Sequence, residues 1–302
     1  MSVYSQIAYN KTRTYLTIFV FILLTAGFFY LIGKFFDNPA SANGYFILGF
    51  IFAMVSSVGS YFYSDKIVLF TVAAHPADKK DFFDFYTVTE NLSIAAGIPM
   101  PKLYVIDDAA PNAFATGRDP KHAVVAATTG LLQRLDRAEL EGVIAHELSH
   151  VKNYDILLST MVAVLVGTIA LVSDWIMRSF WWGGLGRDDD RRDRNPVVLL
   201  FVIIGLVLGP IVATLIQLAI SRRREFLADA SGALITRYPE GLARALEKIA
   251  ADPTPMRHAT SSTAHLFISN PFKKGQKAMS VVAALFSTHP PTEERVKILR
   301  SM

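Results

Sequence analysis

Hydrophobic and polar positions fall into long blocks along this chain of 302 residues. Residues 15–33, 44–63, 156–173 and 197–220 carry no charged side chain. Each reaches the roughly 17–25 apolar residues that a helix needs to cross about 30 Å of hydrocarbon. The first block follows Lys11 and Arg13, as a secretion signal would. It is long for a signal's apolar core, however, and no small-residue cleavage site precedes Lys34, so an uncleaved anchor is expected. The blocks pair into two hairpins, closed by "KFFDNPASAN" and "RSFWWGGLGRDDDRRDRN", with Trp175, Trp181 and Trp182 where an interfacial aromatic belt would lie.

The remaining sequence has soluble periodicities. "FFDFYTVTENLSIAAGI" repeats apolar positions at helical spacing and stops at Gly97. "KLYVIDD" and "HAVVAATTG" read as short strands. "DRAELEGVIAHELSHVKN" reads as a helix that opens on a capping box, Asp136 with Glu139, and buries Leu140, Val143, Ile144 and Val151. The expected fold is mainly α with a small β-sheet: a four-span membrane bundle plus a soluble domain in two halves. Its expected divisions are an N-terminal hairpin (1–63), a first soluble half (64–155), a second hairpin (156–220) and a second soluble half (221–302).

Composition supports a membrane protein, with 52% hydrophobic and 19% charged residues. The net charge of +4 is mild, and without a basic arm it suits lipid headgroups better than nucleic acid. Lys11 and Arg13, and Arg222, Arg223 and Arg224, favour a cytoplasmic face for both soluble ends, and Lys34 alone in the first loop agrees. Arg178, Arg187, Arg191, Arg192 and Arg194 in the second loop run against that orientation. Either that loop crosses despite its arginines, which is the expectation adopted, or the second hairpin does not fully span. Cysteine is absent, which removes disulfides, thiolate metal sites and a cysteine nucleophile, so a metal must be held by histidine or oxygen ligands.

His146 and His150 stand one helical turn apart on one face, which lets both imidazoles reach one zinc ion. Glu147 follows the first histidine and fits a general base acting on water rather than a ligand. A catalytic zinc usually has a third protein ligand. "SRRREFLADASGALI" offers Glu225, with Asp229 on the same helical face to orient a ligand histidine. The alternative is a solvated helix whose Glu225 pairs with neighbouring arginines. Because His150 precedes the third span and Glu225 follows the fourth, a hairpin between them would bring the three together.

"HELSHVKNYDIL", the hydrophobic hairpins, "RRREFLADASG", "PNAFATG" (111–117) and "STHPPTEERV" (287–296) together resemble the membrane-bound M48 zinc metallopeptidases, within them the HtpX heat-shock protease group. The likeness runs over nearly the whole chain. It implies a gluzincin-like metalloprotease domain beside the membrane bundle, with one zinc per chain on His146, His150 and Glu225, Glu147 as base and Asp229 behind a ligand histidine. It also implies an integral endopeptidase of the cell (inner or plasma) membrane that cleaves misfolded or damaged membrane proteins on the cytoplasmic face. That role belongs to stress response and protein quality control, alongside an ATP-dependent membrane protease. Alternatives are a processing peptidase for prenylated C-terminal (CAAX-type) peptides and a non-catalytic zincin-like scaffold. A transporter would need ionisable residues inside the spans, where only Asp174 comes close.

Further candidates are weaker in pattern. "KHAVVAATTGLL" is a candidate edge strand for substrate pairing, and Asn112 a candidate for bonding the substrate backbone, or simply a turn residue. His289, before Pro290 and Pro291, is a candidate donor to the tetrahedral oxyanion, with Arg295 behind it. His75, His122, His258 and His265 have no partner at metal spacing and are expected to be structural or solvated.

Overall fold

The computed structural model describes residues 3–36, 42–182, 222–272 and 290–302. Helices α1 (Val3–Phe36) and α2 (Ala42–Thr71) pack along one another as a hairpin. Among the described residues two helices are long and apolar enough to cross a membrane, Ile7–Tyr30 and Ala42–Thr71. At about 1.5 Å per residue the 30 residues of α2 exceed the hydrocarbon thickness. The helix therefore runs past the boundary expected at 63, and its last turns join the soluble core through Val68 and Leu69.

Helices α3 (Phe83–Ala96), α4 (Thr129–Arg134) and α5 (Arg137–Lys152) follow in the first soluble half. α3 stops where expected: Gly97 takes φ 68°, and its N–H closes the helix on the Ile94 carbonyl. α5 opens on the expected capping box, with Asp136 and Glu139 each bonding the other's backbone N–H. α6 (Asp155–Trp182) leaves α5 at a bend of 84°, and its first half packs on α1 and α2 through Phe21, Ala53, Leu158, Val162 and Leu165. Among the described residues, Arg137–Lys152 and Asp155–Leu171 are together long and apolar enough for a membrane span as one bent pair. The expected block 197–220 and the Arg/Asp-rich loop lie outside the described residues, as do the side chains of Trp175, Trp181 and Trp182. The chain continues in α7 (Arg222–Thr236), α8 (Pro239–Ala251) and α9 (Thr292–Leu299).

The sheet has the order β1-β2-β4-β3, made by His75–Pro76, Lys102–Ile106, Val124–Thr128 and Ala113–Thr116 respectively. β2 and β4 are parallel, whereas β3 runs antiparallel to β4 with Ala115 opposite Val125. Both faces are covered. Leu103, Val105, Val125 and Ala127 join the core of α3, α5 and α8, and Ile106, Phe114, Val124 and Ala126 face the ends of α2 and α6. This corrects one expectation. The strand read in "KHAVVAATTGLL" is the interior strand β4, buried throughout and paired on both sides, and the edges are β1 and β3. The continuous apolar run of β4 belongs to a strand covered on both faces.

Candidate metal centre

Two close backbone approaches place the metal-binding helix. A Cβ on Gly142 of α5 would come 2.5 Å from the Leu242 nitrogen of α8, and one on Gly232 of α7 would come 3.1 Å from the His146 nitrogen. Glycine at both positions lets α7 and α8 lie directly on α5. α7 thereby brings Glu225 against the two histidines, although 75 positions separate it from His150.

The ring nitrogens His146 Nε2 and His150 Nε2 are 3.2 Å apart, with the rings at right angles. Each lies 3.7 Å from a carboxylate oxygen of Glu225. These contacts go to different carboxylate oxygens, Oε2 for His146 and Oε1 for His150. One donor atom from each of the three residues lies within 4.8 Å of the others, a cluster that small shifts would close to the roughly 3.3–3.5 Å between ligands of a tetrahedral zinc. Two imidazoles and a carboxylate are also the donor set that zinc accepts.

Behind each histidine stands a carboxylate. Asp229 Oδ1 lies 2.9 Å from His146 Nδ1, and Asp155 Oδ2 lies 3.1 Å from His150 Nδ1. These bonds put the hydrogens on Nδ1 and leave both Nε2 atoms to face one point. Arg295 grips Asp229 with two hydrogen bonds, Nη2 at 2.7 Å and Nε at 2.9 Å, and is 2% exposed. Burial would raise the Asp229 pKa, but Arg295 and His146 outweigh it and hold the group down to about 2. The histidines diverge. Burial brings His146 down to about 4 against the pull of Asp229, with Arg295 and His150 adding to the fall. Burial also opposes charge on His150, yet Asp155, Glu225 and Glu147 lift it to about 9.

The family profile "Peptidase family M48" matches residues 80–302. The chain belongs to peptidase family M48. Along nearly its whole length it is similar to M48 relatives named "Protease HtpX homolog". One from Tropheryma whipplei (strain Twist) is 47% identical over 300 residues, 99% of this chain and 98% of the relative. One from Caldanaerobacter subterraneus subsp. tengcongensis is 48% identical over 307 residues, 100% of this chain and 98% of the relative. A crystal structure of S. mikatae Ste24p aligns with a TM-score of 0.47 at 19% identity, over 91% of this chain and 62% of that one. This M48 chain, with its two apolar helices, is a membrane metalloprotease.

The candidate site opens into a cleft walled by Ala115, Glu147, Ser159 and His265 beside the three candidate ligands. Glu147 is 2% exposed there, next to His146. Asn112 does not join this group. It is buried, and its amide donates to the Ser269 carbonyl at 2.9 Å while its Oδ1 accepts from Ala113 N–H. His289 lies outside the described residues. Arg295, weighed as an oxyanion donor, sits behind His146 on Asp229 instead.

Three features escaped the sequence reading. Asp155 carries a signal that could have found it, a carboxylate five positions after a candidate ligand histidine at the end of its helix. Asn10 bonds Asp155 at 2.6 Å from a helix that reads only as an anchor. His265 is in the cleft wall, its Nε2 3.0 Å from the Ser159 carbonyl, and no spacing to the other histidines announced it.

Proposed function

We propose that the chain is a zinc endopeptidase that cleaves misfolded or damaged membrane proteins on the cytoplasmic face of a multi-pass, four-span assembly. The observation that carries the zinc reading is the cluster of His146, His150 and Glu225, one donor atom of each lying within 4.8 Å of the others. Zinc bound there would polarise a scissile carbonyl and bring water to the point of ionising near neutral pH. Glu147 takes a proton from the attacking water and passes it to the leaving amine. Asp229 and Asp155 hold the ligand imidazoles through Nδ1.

Strand β3 offers the substrate a place to lie. Ala113 turns its carbonyl away from β4, accepting from Ile268 N–H at 2.9 Å, so Ala115 two residues on also directs its backbone groups outward, into the cleft. An extended peptide adding to that edge is held by main-chain bonds, which tolerate many sequences, as an enzyme acting on damaged proteins requires. His289 remains the candidate donor to the developing oxyanion, and the quality-control role follows the HtpX resemblance.

Glu147→Gln tests the reading. It is expected to keep one zinc per chain and to lower cleavage of an unfolded membrane protein by about 10²–10⁴-fold. Wild-type turnover in that variant would sink the proposed mechanism.

A further inference from the structure

Helix α1 reaches the metal-binding helix itself. Asn10, at 0% exposure, lies in α1 ahead of the apolar block, and its side-chain amide donates to the Asn153 carbonyl at 2.9 Å and to Asp155 Oδ1 at 2.6 Å. Both partners are acceptors, so the NH₂ group must face them. The other end of the amide, Oδ1, has no partner among the described residues, which leaves Asn10 acting as a double donor. The next residue, Lys11, holds its ammonium 4.5 Å from the centre of the Tyr154 ring. Tyr154 has φ 60°, a left-handed conformation costly for a side chain of that size. α1 thus clamps residues 153–155, where α5 turns through 84° into α6.

We propose that Asn10 is a positioning residue of the metal centre. By fixing Asp155 it fixes the orientation and tautomer of His150, so zinc binding depends on α1 being docked against the α5–α6 joint. This rests on the zinc reading above. Asp155 divides its two oxygens between the partners, Oδ1 to Asn10 and Oδ2 to His150. A carboxylate with one oxygen tied to a neighbouring helix cannot swing away from the imidazole on the other, and such outer contacts set how well a ligand histidine is presented. Arg224 supplies charge near Oδ1, but at 3.8 Å, beyond hydrogen-bond length. Asn10 provides the short, directional contact to that oxygen.

A buried asparagine that served only helix packing would act regardless of residue 155, and a double-mutant cycle separates the two roles. Zinc affinity is measured by chelator competition on the full-length protein in detergent micelles, for Asn10→Leu, Asp155→Ala and the pair. Asn10→Leu keeps the side-chain bulk and removes both donors. It is expected to weaken zinc binding about 10–100-fold, with no further loss when added to Asp155→Ala. If Asn10→Leu does not fold, Asn10→Ser, which cannot reach both acceptors, carries the same expectation. Full additivity in the pair, or a single variant within about twofold of wild type, overturns the proposal. A wild type that binds no zinc would sink the zinc reading and this role together, whereas normal zinc binding with an additive cycle removes only the role of Asn10.

Discussion

The two candidate ligand histidines sit in the same helix, yet they are supported from opposite parts of the molecule. His146 leans on Asp229 of α7, which Arg295 of α9 grips from behind, and all three residues are buried in the soluble core. His150 leans on Asp155 at the start of α6, which is tied to Asn10 in the membrane-anchoring helix α1. The first arm is charge against charge, with a full guanidinium on its carboxylate. The second is finished by a neutral amide and a more distant cation. One ligand is thus secured by the globular fold and the other by its junction with the membrane helices.

The widest gap between the arms is expected in stability. Arg295→Met strands Asp229 as a buried carboxylate without its cation, and losing one partner of such a pair costs about 3–5 kcal/mol. Asn10→Leu removes neutral donors and leaves acceptors short of partners, which costs about 1–3 kcal/mol. Chemical unfolding of the two variants in the same detergent compares them. A smaller midpoint shift for Arg295→Met than for Asn10→Leu would overturn the division into a charged arm and a neutral one.

The uneven legibility of the two arms in the sequence has a physical cause. His146, Glu147 and His150 announce themselves because helical geometry alone puts i and i+4 side by side. Glu225 and Asp229 became legible once the intervening hydrophobic blocks were read as a return path. The capped start of α5 and the end of α3 at Gly97 were local chemistry and came out as expected. What escaped depends on contacts that no local pattern encodes. Arg295 reads as a weak oxyanion-donor candidate until α9 packs its side chain onto Asp229. Asn10 looks like the polar fringe of a membrane span until α1 is laid across the joint after α5. The edge strand was misplaced for a related reason. "AFAT" is too short to stand out beside β4, and only the pairing order makes it the rim of the cleft.

A second, smaller effect sharpens the comparison through the metal. Asp229→Asn keeps the shape of the His146 support but weakens its hold on Nδ1, and is expected to lower zinc affinity about 10–100-fold. Because Asp229 and Asp155 support different histidines, Asn10→Leu should add its whole effect in this background, in contrast to its silence on Asp155→Ala. Chelator competition on the double variant reads the sum. A double variant no weaker than Asp229→Asn alone would mean that the arms are one network.

The smallest expected effect, about tenfold over one pH unit, concerns a single proton. Burial keeps His146 neutral with its pKa near 4, Arg295 adding to the fall, whereas Asp155, Glu225 and Glu147 leave His150 holding a proton up to about pH 9. The hydrogen bonds fit that count. His150 gives Nδ1–H to Asp155 and Nε2–H to His146 Nε2, and His146 gives Nδ1–H to Asp229. The Nε2 proton thus occupies the space between the two nitrogens that a metal would take. Zinc binding at neutral pH must expel it, so apparent affinity should rise about tenfold per pH unit between roughly pH 5 and 9 and level off above that range. Two histidines with ordinary pKa values would instead give a steeper dependence below about 6.5 and none above it. Calorimetric titration at pH 7.5 in two buffers of different ionisation enthalpy counts the protons directly. One released per zinc supports unequal arms, and none released would show that the two supports treat their histidines alike.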